Sequence, residues 1–219
     1  MTHELTTNLL TRTTSAITDE KLAASTAALA DGLEATIATA SEAAAAAGRD
    51  RALSPAGVTA RRGEIAETAT AEIDRFAKRA EALRADADRA CEGLRQSVVG
   101  HDAQRLTAAE RREVRDVFRS IDEAERPAYL RAATLAGDAG VVQAIAESPP
   151  SMRLVDDELL TDAALTIARE LQPERAAAFD NLEATATTVE LNVLTAREVL
   201  ARVGQGFVAA DRAPMAASA

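Results

Sequence analysis

Between residues 58 and 94 the apolar side chains fall on one helical stripe. Val58, Ile65, Ala69 and Ile73 lead into Phe76, Ala80, Leu83, Ala87, Ala90 and Leu94, the last six spaced four, three, four, three and four apart. Such steps hold side chains on one face of a helix with 3.6 residues per turn, and no strand sustains them. Ser54 offers a capping oxygen, and Pro55 loses nothing at the first helical position because that backbone N–H has no helical partner. At 1.5 Å per residue, a helix from 55 to about 97 is on the order of 60 Å long. Upstream, residues 14–47 contain no Pro and one Gly, Gly32, and carry a second stripe through Leu22, Leu29, Leu33, Ile37, Ala40, Ala44 and Ala47. Gly48 reads as the C-terminal cap of that helix. Two long helices joined by a short loop predict an antiparallel hairpin with coiled-coil-like spacing. Its seam is expected at Ile65, Ile73, Phe76, Leu83 and Leu94.

Composition says how that seam closes. Of the 219 residues 53 are alanine, aromatic residues make up 2%, and Trp is absent. A core short of rings must close by bringing helix backbones together over methyl groups, and alanine is also the strongest helix former. Only six Pro and ten Gly interrupt the chain. These numbers argue against an all-β fold, a disulfide scaffold and a dinucleotide-binding α/β enzyme.

The second half reads as shorter helices followed by one long one. Residues 100–105 form a hinge, and Thr107 with Glu110 spells a capping box. The helix it opens runs to about Ser120 with Val114, Val117, Phe118 and Ile121 on one side. Pro127 opens a helix over 127–136 that Gly137 stops, and Asp138 caps another over 139–147. Pro149 and Pro150 end that one. A further stripe runs from Leu159 to Leu171. Pro173 then starts a helix to about Val203, with Phe179, Leu182, Ala186, Val189, Val193, Ala196, Leu200 and Val203 in unbroken steps of three and four. That seam pairs lengthwise with the hairpin, with the short helices or with a second copy. The predicted architecture is all-α: an elongated hairpin arm over 1–99, a helical bundle with a long C-terminal helix over 100–204, and a flexible tail over 205–219.

Charge and chemistry narrow the function. With 25 Lys and Arg against 35 Asp and Glu the formal charge is -10, which opposes nucleic-acid binding. A basic cluster, Arg105, Arg111, Arg112, Arg115 and Arg119, is interleaved with Glu110, Glu113 and Asp116 at spacings that pair within a helix. A DNA-binding use of that face is the weaker alternative. No phosphate-binding glycine loop occurs, His3 and His101 have no partner set for a metal, and the acidic pairs suit helix starts. The expectation is no enzyme, no cofactor and no metal. The single Cys91 lies in an Ala-rich helical run and reads as a small buried apolar residue. No apolar run has the length of a membrane span, and no secretory signal opens the chain, which places it in a cytoplasm or a virion.

The order of segments carries a resemblance. Leu53-Ser-Pro-Ala-Gly57, Glu125-Arg-Pro-Ala-Tyr-Leu-Arg-Ala132, Ala136-Gly-Asp-Ala-Gly-Val-Val-Gln-Ala-Ile-Ala-Glu-Ser-Pro-Pro150 and Pro173-Glu resemble small helical proteins encoded among the head and packaging genes of tailed phages and prophages. The resemblance spans roughly residues 53–180 and rests on helix-boundary motifs. That protein type has no defined activity, so no functional residue carries over. It implies a structural role in head, neck or capsid assembly, with capsid or portal proteins or further copies of the chain as partners and a homo-oligomeric state. Scaffolding proteins end in a basic helix, whereas this tail has only Arg212. A cytoplasmic helical adaptor or chaperone is the alternative.

Overall fold

The computed structural model describes residues 17–99, 106–149 and 153–205. Among these the chain is all-α, with seven helices and no strand. In chain order they are α1 (Glu20–Arg49), α2 (Pro55–Val99), α3 (Ala108–Ser120), α4 (Arg126–Leu135), α5 (Ala139–Ala146), α6 (Asp157–Leu171) and α7 (Pro173–Gly204). The expected hinge at 100–105, and the tail beyond Gln205, lie outside the described residues.

Local chemistry sets most helix ends. The Asp19 carboxylate accepts the N–H groups of Lys21 and Leu22, both at 2.9 Å, and the Asn181 side-chain oxygen accepts those of Thr18 and Asp19. With both sets of donors engaged, α1 starts at Glu20 instead of near residue 14. Ser54 caps α2 through Gly57 N–H at 3.2 Å. At α3 the Thr107 hydroxyl accepts the Glu110 N–H while the Glu110 carboxylate accepts from Thr107, which completes the box. Gly137 takes φ +70°, the left-handed conformation that stops α4, and the Asp138 carboxylate accepts the Val141 N–H to open α5.

Gly48 does not cap α1. The helix runs through it to Arg49, and Asp50 ends it in an extended conformation. Gly48 instead leaves room for the Arg62 guanidinium, whose Nη2 lies 2.5 Å from where a Cβ would stand and whose Nε donates to the Ala44 carbonyl at 3.3 Å.

The contacts do not divide the chain at residue 99. One compact unit contains residues 17–85 and 181–205; the other is Asp86–Asp180. The reason lies in the lengths of α2 and α7, 45 and 32 residues, which let different stretches of each serve different cores. In the first unit α1 and α2 form the antiparallel hairpin, with Gly32 against Phe76 and Ser25 against Arg79. α7 runs antiparallel to α2, as the pairs Arg84–Glu190 and Asp74–Arg197 show. In the second, α3 to α6 close around Phe118, Leu130, Val142 and Ile167, with Leu94 and Val98 of α2 and Phe179 of α7.

Candidate contact surfaces

The expected seam residues separate into two groups. Ile73 is fully buried in the hairpin unit, with Ile65, Phe76 and Leu83 half-buried against the same core. Val189, Val193 and Leu200 of α7 belong to this core, Val203 is buried as well, and Leu182 is half-buried. This stretch of the α7 seam is therefore covered within the chain. Leu94 is a correction: it lies in the core of Asp86–Asp180, where Phe179 of the α7 seam also packs, with the short helices. The stripe continues along each helix without a break in spacing, so periodicity alone gave no sign that its neighbour changes.

The far side of α7 carries two exposed leucines among the polar residues Glu183, Thr187, Glu198 and Arg202. Leu191 and Leu194 are 51% and 55% exposed, and at 100° per residue they stand opposite Val189, Val193 and Ala196. One flank of α7 pairs with α2: Arg84 grips both carboxylate oxygens of Glu190, at 2.9 and 2.7 Å, and reaches the Thr187 hydroxyl. That hydrogen bonding holds the Glu190 carboxyl below its ordinary range, against the opposing effect of partial burial. The other flank buries Thr185, Thr188 and Asn192, and the Thr185 hydroxyl donates back to the Asn181 carbonyl at 2.8 Å. A shallow groove of about 320 Å³ between α1 and α2 is lined mostly by Thr and Ala with Ile65.

In Asp86–Asp180 the arginine cluster is largely built into the fold. Arg111 pairs with Glu147 at 2.9 Å and donates to the Leu106 carbonyl, Arg115 donates to the Ala144 carbonyl, and Arg119 pairs with Asp116 at 2.6 Å. Arg112 is exposed, and Arg105 lies outside the described residues. The opposite side of α3 borders a groove of about 270 Å³ lined by Leu106, Val114, Val117, Phe118, Tyr129 and Val141, with Glu110 and Glu113 as the charged ones among the described residues. Hydrogen bonds from the Thr107 hydroxyl and backbone hold the Glu110 carboxyl below its ordinary range. The Phe118 and Tyr129 rings meet edge to face, centroids 5.1 Å apart.

A larger cavity, about 470 Å³, lies among Glu92, Arg95, Ser148, Arg153, Asp157 and apolar neighbours. Its charges cancel in pairs, Arg95 with Glu92 at 2.7 Å and Arg153 with Asp157 at 2.5 Å. The Arg95 hydrogen bond, opposed by burial and helped by Gln96, keeps the Glu92 carboxyl below its ordinary range.

Cys91 is half-buried beside the core of Asp86–Asp180. His3 and His101 lie outside the described residues. Among the described residues no group of three His, Cys, Asp or Glu side chains is placed to hold a metal ion. No described helix is long and apolar enough to cross a membrane. Compared with protein-family models, curated proteins and solved structures, the chain matches none.

Proposed function

We propose that this chain is a structural protein of a tailed phage or phage-like particle, acting without catalysis through helix-mediated contacts with capsid or portal proteins and with further copies of itself. One observation carries the reading. α7 buries one apolar side in its own unit and still presents Leu191 and Leu194 to solvent on the other. Two leucines three residues apart on the solvent side of a helix whose other side is already buried offer a contact point for another molecule. The resemblance of the segment order to phage head and packaging proteins supplies the setting.

Two experiments test the two parts. Mass spectrometry and cryo-electron microscopy of particles from a producing strain should find the polypeptide in precursor or mature heads; absence from both removes the particle assignment. Light scattering of the purified chain should give a multimer of the 23.0 kDa protomer that Leu191→Glu with Leu194→Glu dissociates. A monomer at all concentrations removes self-association. Co-purification with a host enzyme or a secretion substrate, in place of capsid or portal protein, selects the adaptor reading.

A further inference from the structure

We propose that the groove bordered by α3 and α4 docks a segment of another protein, one whose apolar side chains are flanked by lysine or arginine. The proposal deepens the contact-protein reading and rests on it for the existence of a partner protein.

The groove is apolar and open. Val117 and Tyr129 are 43% and 46% exposed, while Phe118 beneath them is fully buried. The edge-to-face contact with Tyr129 fixes that ring, so the floor is formed before anything binds. At about 270 Å³ the groove falls below the roughly 300–1,000 Å³ typical of small-molecule sites. Its size suits a few side chains of a helix or strand laid across it, the helix-in-groove mode of recognition.

Charge selects the occupant. Among the described residues, the charged ones lining the groove are Glu110 and Glu113, both exposed. Three described cations nearby are turned elsewhere: Arg111 to Glu147, Arg115 to the Ala144 carbonyl, and Arg126 to the carbonyls of Phe118 and Ile121. The Thr107 hydrogen bonds favour the ionised form of Glu110. An anionic partner would meet two carboxylates over an apolar floor, and a cationic one is drawn in. A twofold dimer through this face would bring two copies of the same pair of carboxylates into one interface, which disfavours a second copy as the occupant.

The test uses the full chain and three synthetic helical peptides of about 14 residues, four turns each. One carries a leucine face with lysines on its polar side. The second keeps the leucines and replaces lysine by glutamate. The third keeps the lysines and replaces leucine by serine. Calorimetry near physiological salt should show the leucine–lysine peptide binding roughly tenfold more tightly than either other. Val117→Asp and Glu113→Lys should each weaken it by about fivefold or more, and Glu183→Lys, on an exposed position of α7, should leave it unchanged. Circular dichroism checks that the variants fold, and Glu113→Lys, at an exposed position, keeps the test standing if Val117→Asp does not. Equal affinities for the three peptides, no binding, or binding unmoved by both groove variants overturns the proposal. So does self-association that Val117→Asp abolishes, because it assigns the groove to a second copy. Peptide binding is read without the particle, and particle association without the peptides, so each failure is separate.

Discussion

Gly32 and Phe76 give the sharpest test of how closely the hairpin helices lie. A Cβ built on Gly32 falls 2.9 Å from Phe76 Cζ and 3.0 Å from Cε1, whereas carbon atoms in ordinary contact stay about 3.5–4.0 Å apart. Gly32→Ala therefore requires the ring to retreat by roughly 0.5–1 Å, an overpacking that costs about 1–3 kcal/mol in a packed core. Phe76 is half-buried, so the ring has room on its solvent side and the cost belongs near the lower end. Against this, replacing glycine by alanine inside a helix contributes roughly 1 kcal/mol. The single substitution should leave stability near its starting value. In a Phe76→Leu background the distal ring atoms are gone, and the same substitution should stabilise by about 1 kcal/mol. Urea unfolding of the four proteins, followed by circular dichroism, closes the double-mutant cycle with a coupling of at least about 1 kcal/mol. Equal effects of Gly32→Ala in both backgrounds would refute the close approach.

Glu190→Gln should cost about 0.5 kcal/mol at pH 7, the small value fitting a pair about one-third exposed. Arg84 lowers the folded-state pKa of Glu190, so the pair's contribution is complete above the ordinary carboxylate range and is lost as pH falls through the lowered value. Stability of wild type and variant measured from pH 7 downward should converge; a constant gap would contradict this. Gly137→Ala should destabilise by about 1 kcal/mol, since a side chain at φ +70° is strained and alanine's smaller unfolded-state entropy offsets only part of that. An unchanged melting temperature would mean the α4 stop does not need glycine.

Much of the fold is legible because it is local. Ser54 with Pro55, the Thr107–Glu110 box, Asp138 and Pro173 mark helix starts through atoms within a few residues, and the structure begins helices beside each. Where contacts from afar decide, the sequence misleads. Gly48 looks like a cap, yet its space is used by Arg62 from the other helix. Leu94 sits on the same stripe as Ile73, and only packing reveals that the two serve different cores. The groove was half legible. Glu110, Glu113, Val114 and Val117 can be placed on one side of α3, but the arginines read as intrahelical partners, and two of them, Arg111 and Arg115, reach across to Glu147 and Ala144. A spacing rule cannot see a partner about 30 residues away.

Close approach of helices over alanine is the claim on which the architecture depends, and one pair of substitutions in α7 tests it. Ala186 has no exposed surface, while Ala201 on the same helix is exposed. Both become leucine, and equilibrium unfolding is compared. Ala186→Leu should lose about 2 kcal/mol or more because no space exists for the added carbons, and Ala201→Leu should change stability by less than about 0.5 kcal/mol. An Ala186→Leu protein as stable as the parent, or more stable, would contradict the account.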